Sequence, residues 1–323
     1  IKKHPVISNV KATCLPPSFS CLKNGRFSER NLQRNIFNYV TDNFALAQYD
    51  AIFLASFDEF ALIASRLRGR LFVLAHGNIS GMSNRLKRFA MRRVDKLASV
   101  VVFNEYIKAG ALKYGLRNVC VEPHGFGPTH IISDTERSAV LDAFQHGLSD
   151  ALSTRRLRLV FAPSGAKYGD SFISRLGCNR SFLNLLDSAG IIFVTKGAKT
   201  APCKGNFINI DRHLSEMEFA ALFTAANLIV INYPQSFDYK VSALMFESFC
   251  NEKPCLITRI PSFLVYSDHF TYDPYFNEED EFVLKLQEYA SKTWSPEGCM
   301  YIWVVSSCEV NSPLLHLHSI CVD

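Results

Sequence analysis

From residue 51 onward, short apolar runs alternate with stretches of helical periodicity, and a chain patterned in this way folds as βαβ units around a parallel sheet. The first series runs from "AIFLAS" (51–56) through the helix-like "FDEFALIASRLR" to "RLFVLAHG" (70–77). A basic helical stretch, "ASVVVFN" (98–104), the helix-like "EYIKAGALKYG" and "NVCVEPHGFG" (118–127) come next. Open α/β sheets bind ligands at the carboxyl ends of their strands, so Ala55, Ser56, His76 and Asn104 are expected at a ligand-binding edge.

A polar helical stretch, "SDTERSAVLDAFQHGLSDAL", then interrupts the alternation, and a second series opens at "RLRLVFAPSG". It continues through "GIIFVTKG" (190–197), "NFINID" (206–211), the helix "SEMEFAALFTAA", "NLIVINYP" (227–234), the helix "YKVSALMFESF" and "KPCLIT" (253–258). The expected architecture is α/β, with two Rossmann-like, doubly wound parallel-sheet domains at 1–127 and 153–293, a linker and helix at 128–152, and an unassigned tail at 294–323. Before residue 51 only "ERNLQRNIFNYVTDNFALAQ" reads as helix, with no first strand or glycine-rich turn, so the N-terminal domain is expected to be short. No short repeat period is present, which argues against a solenoid.

Composition sets the remaining bounds. A chain of 323 residues with 48% hydrophobic content can bury a sizeable core. No run approaches the roughly eighteen apolar residues of a membrane span, and "IKKHPVISNVKATC" lacks the apolar core of a signal peptide, so a cytoplasmic location is expected. The ten cysteines show neither a CxxC pair nor metal-ligand spacing; they read as reduced core thiols, with no disulfide framework and no metal site. Charge is concentrated in one place. "NRLKRFAMRRVDK" (84–96) carries Arg85, Lys87, Arg88, Arg92, Arg93 and Lys96 against Asp95, a surplus equal to the net +5 of the whole chain. Such a local patch differs from the spread basic face of a nucleic-acid-binding protein, and no nucleic-acid partner is expected.

Three stretches of the second series carry candidate chemistry. In "FAPSGAKYGD", Gly165 and Gly169 let main-chain N–H groups approach an anion, the residues beyond can begin a helix with its positive end at the site, and Lys167 adds a full charge. An ordinary strand-to-helix turn is the alternative, since neither GxxxxGK[ST] nor GxGxxG is present. Lys196, with Gly197 and Lys199, is either a second anion site or a solvated turn. Tyr233, Ser236 and Ser242 flank the N-terminus of the last helix, within reach of a diphosphate or sugar. On that helix, placed from about Tyr239, one face carries Val241, Leu244, Met245 and Phe249 and another carries Lys240, Ala243 and Glu247.

The order of these segments resembles the retaining glycosyltransferases of the GT-B fold, the group-1, family-4-like class. "RLFVLAHG" is similar to the strand that ends in a cleft-facing His, "NVCVEPHGFG" to "viPnGvd", "LRLVFAPSGAKYGD" to the "fvGR…KG" phosphate loop, "LSEMEFAALFTAANLIVINYP" to "els.lyr.adv.v.ps", and "SALMFESFCNEKPCLIT" to "lLEAmA.G.PVIat". The likeness spans roughly residues 50 to 260. It implies two domains facing a cleft and a hexosyltransferase-like enzyme of polysaccharide biosynthesis. Such an enzyme moves sugar from a nucleotide diphosphate sugar to a glycan or lipid-linked acceptor, with retention, without a required metal and with no cofactor beyond the donor. His76 would then position or polarise donor and acceptor, and Glu247 would accept hydrogen bonds from the ribose hydroxyls. His124, in "PHG", would be a linker residue. Two departures stand out: Pro163 and Ser164 occupy the place of the family's Arg, and its first Glu falls at Tyr239, with Asp238 beside it as a substitute or a helix cap. No carboxylate pair marks a double-displacement site.

Two rival readings accompany this one. A non-catalytic GT-B-like protein would fit the missing acid at position 239 and the short first half. A Rossmann oxidoreductase would require a GxGxxG after a strand, and none is present. Within the basic helix, Arg85, Arg88, Arg92 and Lys96 share one face, with Leu86, Phe89, Ala90, Val94 and Leu97 on others. That stripe is expected to attach the protein peripherally to an anionic membrane, or else to be a solvated scaffold face.

Overall fold

The computed structural model describes residues 26–123, 132–144, 158–163, 170–196 and 205–291. They fall into two compact units that part at Pro123. The junctions expected at 127/128, 152/153 and 293/294 lie outside the described residues, as do Gly165, Lys167, Gly169, Gly197, Lys199 and His124.

In the first unit α1 (Arg26–Asn43) precedes β1 (Ile52–Leu54), α2 (Glu59–Ala64), β2 (Leu71–Leu74), α3 (Arg85–Leu97), β3 (Ala98–Val102), α4 (Glu105–Lys113) and β4 (Val119–Val121). All pairings are parallel, in the order β1-β2-β3-β4, with Leu54 opposite Val73, Val73 opposite Val100 and Val100 opposite Val119. The order is sequential, so among the described strands this sheet winds in one direction only. Side-chain caps start each of its three later helices. The carboxylate of Asp58 accepts from Phe60 and Ala61, and the amide oxygens of Asn84 and Asn104 accept from the next helical turn, which satisfies N–H groups the helix leaves open. Asp58 also receives a two-pronged bond from Arg30 of α1, at 2.8 and 3.1 Å. Burial pushes the Asp58 carboxyl up, but Arg30 and the Ala61 and Phe60 N–H groups outweigh it and hold it below the ordinary value.

The second unit contains α5 (Asp134–Phe144), β5 (Arg158–Ala162), α6 (Asp170–Cys178), α7 (Arg180–Ala189), β6 (Ile191–Lys196), β7 (Phe207–Ile210), α8 (Glu216–Ala225), β8 (Leu228–Ile231), α9 (Ala243–Cys250), β9 (Cys255–Thr258), α10 (Pro261–Leu264), β10 (Tyr275–Phe276) and α11 (Glu279–Ser291). Its six parallel strands run in the order β10-β9-β8-β5-β6-β7. The chain winds outward from β5 through β6 to β7, returns to the other side of β5, and winds outward again through β8, β9 and β10. This is the Rossmann order, with its reversal between β5 and β8.

The apolar strands bury both faces of this sheet. Leu159 and Phe161 of β5 enter one core with Ile192, Val194, Ile229 and Ile231, while Val160 and Ala162 enter the other with Ile191, Phe193, Leu228 and Val230. Covering by helices on both sides leaves no polar alternation, hence the uninterrupted apolar runs in the sequence. In the second core the ring of Phe182 meets Phe193 edge-on at 5.4 Å, and Phe193 stacks on Phe207 at 5.6 Å.

Three local expectations change. The helix expected from about Tyr239, α9, begins at Ala243 and is followed by α10 and α11: residues 235–237 form a short 3-10 turn and Tyr239 has a left-handed φ of 58°. Ser242, not Asp238, caps it, its Oγ accepting from Met245 N–H at 3.2 Å. Of the described cysteines only Cys255 is buried; Cys120 on the edge strand β4 and Cys178 at the end of α6 are exposed, so the thiols are not uniformly in the core.

Candidate functional site

The reversal in the six-stranded sheet brings two distant parts of the sequence to one edge. Strands β5 and β8 pair, with Val160 opposite Leu228 and Phe161 opposite Ile229, so the two strands end side by side at Ala162 and Ile231. From β5 the chain passes into Pro163, beyond which Lys167 lies outside the described residues, and from β8 it passes into Asn232 and Tyr233. A sheet of this order opens a crevice where the two directions part.

A buried polar cluster fixes the β8 side of that edge. Thr258, the last residue of β9, accepts from the Tyr233 N–H at 3.1 Å, and its hydroxyl lies 3.2 Å from Asn232 Oδ1. Thr195, one strand beyond β5, donates to Ala162 O at 3.2 Å. Asn232, Thr258 and Thr195 are buried, so each bond replaces water that burial has removed. Sequence reasoning passed over all three, although each polar residue closing an apolar strand, as in "LIVIN", "CLIT" and "IIFVT", is a visible signal.

Above this cluster the 233–242 segment packs on itself. The Tyr233 ring stacks on Phe237 with centroids 4.0 Å apart and planes 15° from parallel, and Lys240 Nζ lies 5.0 Å over the Phe237 ring. Ser242 Oγ donates to Tyr233 Oη at 3.5 Å, closing the segment onto the α9 cap. Tyr239 N–H is taken up by the Asp238 carboxylate at 2.9 Å, which makes Asp238 a clasp for the left-handed turn. Glu247 sits half-buried one turn into α9, on the face it shares with exposed Ala243 and away from buried Leu244, Met245 and Phe249. Lys196 ends β6, half-buried, next to Thr195. Tyr239, Ser242, Glu247 and Asp238 thus fall within one segment after β8, and Lys196 ends another strand of the same edge.

His76 belongs to the first unit. It is exposed, two residues past the end of β2, with its ring 4.8 Å from that of Phe103. The loop that follows His76 contains a left-handed glycine, Gly81 (φ 77°). Asn104, expected at the ligand edge, is taken up as the cap of α4.

The loop around His76 is anchored from both sides. Asn78 Nδ2 donates to the buried carboxylate of Glu59 and to Phe57 O, both at 3.2 Å. From α3, Lys87 Nζ donates to Ser80 O at 2.7 Å and Arg88 to Met82 O and Ser83 O at 3.0 and 3.1 Å. Arg92 reaches Tyr114 O at the end of α4, at 2.9 Å. Lys87, Arg88 and Arg92 are therefore ties within the unit, while Arg85, Arg92 and Lys96 of the expected stripe stay exposed and Arg88 is half-buried.

No protein-family model matches the chain, and no curated protein sequence matches it. Solved structures do. The UDP-forming α,α-trehalose-phosphate synthase of Burkholderia xenovorans, solved with glucose-6-phosphate, superposes with a TM-score of 0.56 at 11% identity, over 88% of this chain and 75% of that one. HepE of Anabaena, solved with UDP and glucose, superposes with a TM-score of 0.57 at 12% identity, over 86% and 77%. The trehalose-6-phosphate synthase OtsA gives 0.55 at 9%, over 88% and 74%. At such identities the likeness is one of fold, and the fold of this chain is that of the GT-B glycosyltransferases.

Proposed function

We propose that this chain is a glycosyltransferase that takes its sugar from a nucleotide diphosphate donor, UDP being the first candidate because HepE and the Burkholderia synthase are described with UDP or as UDP-forming. One observation carries the reading: the strand reversal leaves β5 and β8 ending side by side at one carboxyl edge, with the 232–247 segment following β8 and the glycine-flanked Lys167 following β5 in sequence. The donor's diphosphate takes the β5 side. Lys167 and main-chain N–H groups there neutralise the charge that grows on the leaving group as the glycosidic bond breaks, without a required metal. Its ribose takes the α9 side, where Glu247 accepts from the hydroxyls and Ser242 and Tyr233 hold the turn beneath it. Tyr239 stands where the family's first Glu falls by resemblance, and its ring offers a surface for the base or sugar. His76 serves the acceptor, a glycan or lipid-linked hydroxyl, by positioning it. Transfer proceeds with retention, as the resemblance implies.

A thermal-shift screen against UDP, GDP, ADP and CMP sugars tests the reading. One nucleotide diphosphate sugar should raise the melting temperature and release its nucleoside diphosphate on incubation with acceptor. Stabilisation without turnover would favour a non-catalytic binding protein, the reading that Tyr239 in place of an acid supports. Stabilisation by a nicotinamide dinucleotide alone would overturn both.

A further inference from the structure

One face of α3 combines features that a purely solvated helix does not need. Ala90, Met91 and Val94 are buried, yet Leu86 and Phe89, which turn away from them, are 64% and 53% exposed. Leu86, Phe89 and Arg93 follow i, i+3, i+7 spacing, and Arg85, Phe89 and Lys96 follow i, i+4, i+11, so two large apolar groups stand among three exposed cations. The Arg93 guanidinium lies 5.1 Å over the Phe89 ring. The other basic residues of the helix are the ties to Ser80, Met82, Ser83 and Tyr114, so fold stability does not account for Arg85, Arg93 and Lys96.

We infer that this face docks on an anionic lipid surface. Charge complementarity selects the occupant: phosphate-bearing headgroups pair with Arg85, Arg93 and Lys96 while Leu86 and Phe89 enter the boundary of the acyl region. A nucleic acid would use the cations but gives no role to an outward leucine. The two signals together are what reversible peripheral binding requires, since neither a few charges nor two apolar side chains hold a protein of this size alone. Because Lys87 and Arg88 fasten the 80–83 loop to the start of α3, docking brings the His76 end of the first unit to the surface. That consequence rests on the functional reading and fits a lipid-linked acceptor; the docking itself does not depend on it.

The test is vesicle co-sedimentation of the full chain without any nucleotide, using phosphatidylcholine alone and phosphatidylcholine with phosphatidylglycerol. The wild type should sediment only with the anionic vesicles and be released by salt. Arg85→Glu/Lys96→Glu should lower the partition coefficient by about twentyfold or more, at about fivefold per lost cation. Leu86→Ser/Phe89→Ser should likewise weaken binding to the anionic vesicles at low salt, with the cations and their salt dependence left in place. All four positions are exposed and none of their side chains makes one of the ties, so circular dichroism should be unchanged, and if one pair disturbs the fold the other still decides. Equal binding to neutral vesicles, no binding to anionic ones, or variants that bind as wild type would each overturn the inference. So would displacement by single-stranded RNA that is indifferent to Leu86→Ser/Phe89→Ser, or a dimer in size-exclusion chromatography that this variant dissolves.

Discussion

Tyr239 combines an unfavourable backbone with a central position. Its φ of 58° lies where an L side chain is strained, and the residue persists there because Asp238, the Tyr233/Phe237 stack and the Ser242 cap hold the turn on both sides. If the ring serves the donor, Tyr239→Gly separates the two roles. Glycine relieves the strain but enlarges the entropy of the unfolded chain, so stability should stay within about 1 kcal/mol of wild type. Nucleotide affinity, read by titration calorimetry, should fall. A loss of several kcal/mol in urea denaturation with affinity intact would make Tyr239 a packing residue. The sequence showed Tyr239 at the place of an expected acid, but its conformation depends on Tyr233, Phe237 and Thr258, and the Tyr233–Thr258 bond spans 25 residues. Such a bond is invisible to local pattern.

At the level of elements, the strands of the second unit were legible because each is buried on both faces and so reads as an unbroken apolar run. The helix pair α6 and α7 was not. A single residue, Asn179, separates them and caps the second, so the helical period restarts in mid-stretch. The start of α9 was displaced for a related reason, since the turn before it is set by ring stacking. A glycine in the first unit shows how closely elements can be tied. Gly115 ends α4 at φ 87°, and a Cβ there would stand 2.5 Å from the Arg92 guanidinium that bonds Tyr114 O. Gly115→Ala should cost about 1–3 kcal/mol, partly from backbone strain and partly from displacing Arg92. Arg92→Ala in the same chain should remove the second part, so the double variant should lose less than the sum of the two singles in chemical denaturation. Full additivity would mean that the arginine moves aside freely.

For the molecule as a whole, stability at alkaline pH carries a mark of the second unit. Lys253 Nζ donates to Thr224 O and Ala226 O, capping the carboxyl end of α8. Burial first, and Arg137 of α5 second, pull its pKa from 10.5 to about 8. The unfolded chain therefore binds a proton between pH 8 and 10.5 that the folded one lacks, and stability from this group rises with pH across that window; below pH 8 the full cost of the buried charge is present. Compared with Lys253→Met, the wild type should gain about 2 kcal/mol between pH 8 and 9.5 in parallel urea titrations. Parallel curves would place the lysine in water. On the same scale, the two-sheet architecture was readable from the alternation beginning at residue 51, whereas the Rossmann reversal required the strand pairings.

The central claim is that a nucleotide diphosphate lies at the β5/β8 edge with its ribose on Glu247. The direct measurement is calorimetric titration of UDP and its 2′,3′-dideoxy analogue into wild type and Glu247→Gln. The wild type should prefer UDP by about tenfold or more, the value of a hydrogen bond to a charged acceptor. Glu247→Gln should bind UDP more weakly, bind the dideoxy analogue as the wild type does, and so lose most of that preference. Equal affinities of the wild type for both nucleotides, or a preference that survives in Glu247→Gln, would contradict the account.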